Sequence, residues 1–199
     1  VVIVTPDSHK ADMLEHEIRF FLGQRGQQLQ HLPDWETLPY DNFSPHQDIV
    51  SERLHTFHRL PAMTRGVLIV PMPTLMHRLP PTEYVAGNSL VLEPGQALMR
   101  DDFRRNLERN GYRNVETVYE HGEFALRGSL VDVFPIGSNL PYRIDLLDDE
   151  VDTLRTFDPD TQRTVDRVEA INLLPAREFP LDRGAIQRFQ MNWYETFES

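Results

Sequence analysis

The pattern of apolar and polar positions changes near residue 89 of the chain. Before that point, short continuous apolar runs alternate with stretches of helical spacing. Continuous apolar runs are typical of strands that are buried on both faces of a parallel sheet. The predicted strands of this part are residues 1–5, 28–32 and 67–70. The order strand, helix, strand, helix, strand indicates an α/β layer with a parallel sheet.

Capping signals mark where the two helices of this part begin. Asp7 or Ser8 is placed to cap the first helix, because a short polar side chain can accept a hydrogen bond from a free backbone N–H. Ser44 predicts the start of the second helix, with Pro45 at its first position and Gln47 completing a capping box.

From residue 89 onward the sequence has the pattern of short strands, in which apolar and polar residues alternate. We predict strands at 89–93, 114–118, 123–126, 129–134, 142–147, 151–157 and 168–173, one helix at 101–110, and a last helix at 182–197. The last helix is expected to pack on the first domain. The chain is therefore divided into a first α/β domain (1–88), an inserted α+β domain (89–175) and a return to the first domain (176–199).

Charge narrows the range of partners. The chain of 199 residues has a net charge of −11, and residues 83–175 hold ten cations against eighteen anions, a balance of −8. Strong nonspecific DNA binding relies on Lys and Arg that neutralise phosphates, so it is not expected here. No apolar run approaches the ~18 residues of a membrane span. We expect a cytoplasmic protein without cysteine chemistry and, since residue 1 is Val rather than Met, a fragment of a longer chain.

No recognised catalytic, cofactor or metal motif is present in the sequence. The run IDLLDDE at 144–150 superficially resembles the Mg²⁺-binding strand of ATPases, but a phosphate-binding loop also needs a glycine-rich turn and a lysine. The only lysine is Lys10, with no glycine near it. The acidic run is therefore interpreted as a hairpin tip, and His55 with His58 lack a third metal ligand. We predict no catalytic residue, no cofactor and no metal.

Arg127 and Arg143 are isolated arginines beside alternating apolar residues of two predicted strands. A guanidinium in that position can meet a carboxylate of another protein through two parallel hydrogen bonds. The alternative is an ion pair within the chain, for which Asp132, Asp145 and Asp149 are candidates. The residues alone leave both interpretations open.

Trp35 and Tyr40 lie in the proline-bounded segment LPDWETLPYD. Exposed aromatic side chains can stack on nucleic-acid bases. Packing beneath the loop is the interpretation that we favour for both residues.

Several dense blocks, in one order, carry a resemblance to a known family. They are LPDWETLPYD (32–41), SPHQD (44–48), RGVLIVP (65–71), EHGEFALRGSLVDVFP (120–135), YRIDLLDDEVDTLRTFD (142–158) and AINLLPAREFP (170–180). The chain resembles the N-terminal part of the bacterial transcription-repair coupling factor family, Mfd, and more loosely the helicase UvrB. The resemblance implies a fold of α/β class: a degenerate P-loop-helicase-like parallel-sheet domain with an inserted α+β domain, a UvrB-like module.

The resemblance also implies a function and a binding site. In this family the inserted domain binds the repair protein UvrA, and the corresponding contacts would be Arg127, Arg143 and Leu147, where the family more often has Phe. RNA polymerase and double-stranded DNA would bind through other domains of the full-length protein, and a C-terminal domain could mask the UvrA site. The rival hypothesis is an ATP-dependent DNA helicase or translocase lobe that contacts DNA directly.

Overall fold

The fold combines a small parallel sheet with a larger, mostly antiparallel one. The computed structural model describes residues 1–23, 28–38, 41–42 and 44–197. The helices within these ranges are α1 (Ser8–Leu22), α2 (Gln47–Arg59), α3 (Met72–Met76), α4 (Thr82–Gly87), α5 (Arg100–Arg109) and α6 (Arg183–Phe197). The strands are β1 (Val2–Thr5), β2 (Leu29–His31), β3 (Val67–Pro71), β4 (Leu90–Leu92), β5 (Arg113–Asn114), β6 (Glu123–Arg127), β7 (Leu130–Val133), β8 (Tyr142–Leu147), β9 (Glu150–Phe157), β10 (Thr164–Val168) and β11 (Ile171–Leu173).

The first part of the chain forms the parallel sheet that its apolar runs predict. β3 lies between β1 and β2 and pairs with both in parallel. Ala11, Leu29 and Ile69 form the small core between α1 and this sheet. Asp7 caps α1 as predicted, since its carboxylate accepts a hydrogen bond of 2.8 Å from the backbone N–H of Lys10.

The predicted start of α2, with Pro45 at its first position, is wrong by two residues. The helix begins at Gln47, and His46 is its N-cap. The Nδ1 atom of His46 accepts a hydrogen bond of 3.3 Å from the backbone N–H of Asp48. The capping acceptor is thus an imidazole, and neither Ser44 nor a capping box built on Gln47 sets the boundary.

The larger sheet has six strands in the order β10-β9-β8-β7-β6-β5, all antiparallel except the pair β5–β6. The predicted single strand 168–173 is wrong, because this stretch contributes to two sheets: β10 pairs with β9, and β11 pairs with β4. The predicted strand 114–118 is also displaced, since β5 covers only 113–114. The short helices α3 and α4 were not predicted; Pro73 lies in the first turn of α3, a position that tolerates proline, and Pro81 is the N-cap of α4.

One face of the six-stranded sheet packs on the main hydrophobic core. Phe124, Val133 and Ile144 of this face contact a cluster that also includes Leu54 of α2 and Leu107 of α5. The core therefore crosses the predicted boundary between residues 88 and 89. The domain boundaries at 88/89 and 175/176 stay predictions.

Helix α6 has the predicted extent to within one residue. None of its residues is buried, and the expected packing on the first domain stays a prediction. Its exposed aromatic side chains contact one another, with 4.5 Å between the ring centres of Trp193 and Phe197. Among the described helices, none has the length and apolar character that a membrane span requires.

Candidate protein interface

The two arginines predicted to bind a partner lie on the outer face of the six-stranded sheet, opposite the core. Asp132 of β7 is the direct cross-strand neighbour of Arg143 of β8. Arg127 lies at the end of β6, on the same face, because side chains alternate along a strand. The sheet thus places both guanidinium groups around one carboxylate.

Asp132 accepts hydrogen bonds from both arginines. Its Oδ2 atom accepts from Nη2 of Arg127 at 2.7 Å and from Nη2 of Arg143 at 2.9 Å, and its Oδ1 atom accepts from Nε of Arg143 at 2.7 Å. The Asp132 side chain is only 1% exposed. Of the three candidate partners within the chain, Asp132 is therefore the one that pairs with Arg127 and Arg143.

Arg143 is held firmly within the protein. Its side chain is 18% exposed, and its guanidinium lies 4.7 Å from the ring centre of Phe157. Its Nη1 atom also donates to the carbonyl oxygen of Gln162 at 3.3 Å. The hydrogen bond with Asp132 raises the pKa of Arg143 despite partial burial. Arg143 therefore makes the ion pair within the chain that was the alternative interpretation, and its contact with another protein stays a prediction.

Arg127 differs from Arg143 in exposure and in the number of bonds it makes. Its side chain is 47% exposed, and among the described residues it has one hydrogen-bond partner, Asp132. Two cations share one anion in this trio, so one positive charge is left over. Arg127 is the more exposed of the two arginines, so the surplus positive charge is accessible to solvent mainly at Arg127.

Leu147, the third predicted contact, is 68% exposed at the end of β8. It lies on the same face as Arg143, since alternate residues of a strand share a face, whereas Leu146 points to the core and is buried. Asp148 follows with φ 55°, which turns the chain into β9. The turn keeps an apolar side chain on the surface, four residues from Arg143.

Two arginines of the same face were missed by reasoning from the sequence. Arg155 of β9 is the cross-strand neighbour of Arg143, and Arg167 of β10 is the neighbour of Arg155. Neither side chain has a hydrogen-bond or ion-pair partner within the described ranges. Arg155 lies within the predicted strand 151–157, but a register irregularity in the β8–β9 pairing hides its face from the sequence, and Arg167 required the strand β10, which was not predicted.

The region that carries this face is similar to known proteins. The sequence model of the UvrB interaction domain matches residues 90–179, a range that includes all the site residues described so far. The chain is 56% identical, over 198 residues, to the transcription-repair-coupling factor of Escherichia coli strain K12, with 100% of the chain covered. The chain belongs to the transcription-repair-coupling factor family. The recognition from sequence is thereby confirmed.

Other members of the transcription-repair-coupling factor family match over similar ranges. The relative from Haemophilus influenzae is 49% identical over 98% of the chain, and the relative from Myxococcus xanthus is 37% identical over 89%. The chain spans 17%, 17% and 15% of the lengths of the three relatives. The similarity therefore concerns one part of these larger transcription-repair-coupling factors.

A second arginine cluster joins α2 to the end of the range that matches the family. Arg53 is fully buried, and its Nη2 atom donates to Oε2 of Glu178 at 3.0 Å. Trp35 donates from Nε1 to Oε1 of Glu178 at 2.8 Å, and its ring centre lies 4.9 Å from the Arg53 guanidinium. The half-buried Trp35 ring thus packs on the Arg53 guanidinium, whereas Tyr40 lies outside the described residues. Arg53 lies on the same side of α2 as the apolar residues Val50, Leu54 and Phe57, which have helical spacing, and this was the overlooked signal.

A third cluster surrounds His31 in the first part of the chain. The Nδ1 atom of His31 lies 2.9 Å from Oε2 of Glu15 and 3.7 Å from Oε1 of Glu52. The hydrogen bond with His31 is the main reason that the pKa of Glu15 falls to about 2. Burial opposes the charging of His31, but the hydrogen bond and charge of Glu15 outweigh it and raise the pKa of His31. The nitrogen facing the carboxylates is thus already engaged in an ion pair.

Proposed function

We propose that this chain is a non-catalytic adaptor module, and that it recruits UvrA in transcription-coupled nucleotide excision repair. The observation that carries the proposal is the half-exposed Arg127, which carries an uncompensated positive charge on a sheet face within the region that matches the UvrB interaction domain. The family resemblance supplies the identity of the partner. The geometry of the face supports the roles that we assign to its residues.

In this proposal the two arginines have different roles. Arg127 contacts an acidic group of UvrA directly, because most of its N–H donors are free to point outward. Arg143 is a positioning residue: it holds Asp132 through two hydrogen bonds, and Asp132 in turn orients Arg127. Orientation before binding reduces the entropy lost on association. The rigid sheet therefore presents one guanidinium in a defined direction.

Leu147 supplies the apolar part of the proposed contact. Interface hot spots commonly combine an arginine with an apolar side chain that excludes water from the charged contact. Leu147 is exposed at the end of the strand that also carries Arg143. A leucine offers less contact area than the phenylalanine common in the family, so its share of the binding energy is smaller.

Titration of UvrA into the chain, followed by calorimetry, tests the proposal. Arg127→Ala should weaken binding by about thirtyfold, because truncating a hot-spot arginine typically costs ~2 kcal/mol or more. Arg109→Ala is a matched control: Arg109 is exposed, has no side-chain partner in the described part of the chain, and lies on α5, across the core from this face. Circular dichroism should show both variants folded. Unchanged affinity of Arg127→Ala for UvrA would refute the site.

The adaptor proposal extends to the first part of the chain and to its surroundings. We infer that the parallel sheet of β1, β2 and β3 is a degenerate P-loop-helicase domain that needs no cofactor, since the only lysine of the chain, Lys10, lies in the first turn of α1. A helicase lobe would instead bind nucleotide, which a titration with ATP and Mg²⁺ tests directly. RNA polymerase and double-stranded DNA would bind through other parts of the full-length cytoplasmic protein.

Masking by a C-terminal domain is a separate part of the proposal. It predicts that the isolated chain binds UvrA more tightly than the full-length protein does. Equal affinities of the two proteins would contradict masking while leaving the adaptor role intact.

A further inference from the structure

Three arginines form a row across neighbouring strands of the outer sheet face. Arg143 of β8 lies opposite Arg155 of β9, and Arg155 lies opposite Arg167 of β10. Adjacent strands are separated by ~4.8 Å, so the row extends over about 10 Å. It continues the surface formed by Arg127, Asp132 and Arg143 toward the β10 edge of the sheet.

The charges of this row are not balanced within the described part of the chain. Asp132 compensates Arg143, but Arg155 and Arg167 have no carboxylate or hydrogen-bond partner among the described residues. Arg155 is half-buried, Arg167 is exposed, and like charges directly opposite each other destabilise a sheet. The surrounding segment 83–175 carries eighteen acids against ten arginines. The row therefore leaves two cations unpaired in a part of the chain where acids are abundant.

We propose that Arg155 and Arg167 form a second acid-binding subsite, which receives an extended acidic segment of the same partner protein that contacts Arg127. This inference rests on the proposed function, since it assigns a further contact to the UvrA-binding face. From β6 to β10 the surface spans about 19 Å, which is the length of about six extended residues. One acidic group would meet Arg127, and a second would meet the row.

A protein carboxylate suits this surface better than a DNA phosphate backbone does. A guanidinium can bind one carboxylate locally through two parallel hydrogen bonds. A duplex presents a long line of phosphates, and its affinity depends on many cations. Asp166 immediately precedes Arg167 and Asp152 lies three residues before Arg155, and both acids are exposed. These acids would repel a long polyanion more strongly than a single carboxylate.

The test compares two double variants of equal net charge in a titration with UvrA. Arg155→Ala/Arg167→Ala should bind about tenfold more weakly, because it removes two ionic contacts that are partly exposed to solvent. Its affinity should also depend less steeply on salt than that of the unchanged chain. Arg78→Ala/Arg109→Ala removes two other exposed arginines without side-chain partners in the described ranges, and it should bind normally.

The outcomes separate this inference from the proposed function. Normal binding by Arg155→Ala/Arg167→Ala, together with weak binding by Arg127→Ala, would overturn the second subsite and keep the recruitment site. Absence of UvrA binding by the unchanged chain would overturn both. Equal weakening of the two double variants would show an effect of net charge only and would also overturn the subsite.

A DNA-binding measurement and a control for folding complete the experiment. Fluorescence anisotropy with a short DNA duplex should show no difference between Arg155→Ala/Arg167→Ala and the unchanged chain. Loss of duplex affinity with unchanged UvrA affinity would assign the row to phosphates and overturn the proposal. If the alanine variant unfolds, Arg155→Gln/Arg167→Gln retains the side-chain stems, and its UvrA affinity should be weakened to the same extent.

Discussion

Arg53 and Arg143 both bind a carboxylate through two nitrogens, but their clusters differ in exposure and in charge balance. Arg53 and Glu178 are matched one to one, with side chains 0% and 4% exposed. In the outer cluster, Arg127 and Arg143 share Asp132, and exposure rises from 1% at Asp132 to 47% at Arg127. The first cluster is neutral and closed, whereas the second is cationic and open.

This difference indicates that Arg53 mainly stabilises the fold, whereas Arg127 is available to bind another protein. Removing one member of a buried pair leaves the other as an uncompensated charge out of contact with water, which is costly. An exposed pair contributes little to folding, because water already solvates both charges. The closed cluster should therefore respond to substitution mainly in stability, and the open cluster mainly in binding.

The largest expected effect is that of Glu178→Ala on stability. The substitution leaves buried Arg53 without its carboxylate and Trp35 without its acceptor, so the free energy of unfolding should fall by ~3–5 kcal/mol. Urea denaturation measures the change. The control is Asp102→Ala, which breaks the exposed pair of Asp102 with Arg105 and should change stability by less than ~1 kcal/mol. Similar losses in both variants would remove the contrast between closed and open clusters.

The second-largest effect on stability is expected for Asp132→Ala, which should also weaken UvrA binding. Loss of this buried acceptor should lower the free energy of unfolding by ~1–3 kcal/mol. UvrA affinity should fall by about threefold to tenfold although Arg127 remains, because Arg127 is no longer oriented. Asp132→Asn retains an acceptor. Its stability and its UvrA affinity should lie between those of Asp132→Ala and those of the unchanged chain. A destabilised Asp132→Ala variant with full UvrA affinity would contradict the orienting role.

The elements that could be predicted from sequence are those in which local pattern and tertiary structure agree. The continuous run 67–70 became β3 almost unchanged, and Asp7 capped α1 as its side chain allows. The stretch 168–173 was predicted as a single strand, because no glycine or proline interrupts it. Its division between two sheets depends on which strands are available to pair, and that is a tertiary property.

Two arginines of the candidate site could be predicted from the sequence, but the contacts between the side chains of the site could not. Arg127 and Arg143 were identified, yet the shared acceptor Asp132 emerges only from the register in which it faces Arg143. The same holds for Arg155 and Arg167, which are twelve residues apart in sequence and neighbours in space only through the β9–β10 pairing. Cross-strand neighbours cannot be read from a single strand's pattern.

The cluster around His31 sharpens the comparison, because its charge balance changes with pH. Glu15 has a folded pKa of about 2 against an ordinary value of 4.5. Its contribution to the free energy of unfolding is therefore present above pH 4.5 and is lost as the pH falls toward 2. The raised pKa of His31 has the opposite consequence: its contribution is present below pH 6.5 and is lost as the pH rises through the folded value. Burial raises the pKa of Glu52, so its contribution to stability is present below pH 4.5 and is lost as the pH rises through the folded value.

Stability measurements on Glu15→Gln should therefore show the ion pair most clearly between about pH 4.5 and 6.5. The substitution should lower the free energy of unfolding by ~1 kcal/mol at pH 5.5, a modest value because the cluster is partly open to solvent. The difference between Glu15→Gln and the unchanged chain should shrink at pH 8.5 and at pH 2.5. A difference that is constant across this range would mean that the pair does not titrate as described.

The smallest effect on stability is expected at Leu147, where exposure and binding are most clearly separated. Since the side chain is already 68% exposed, Leu147→Ala should leave the free energy of unfolding within ~0.5 kcal/mol. If UvrA covers it, the lost apolar contact corresponds to ~1 kcal/mol, or about fivefold in affinity. Leu147→Phe should bind more tightly than the unchanged chain, and Leu79→Ala, at another exposed leucine, should bind normally. Unchanged UvrA affinity of both Leu147 variants would confine the contact to the arginines.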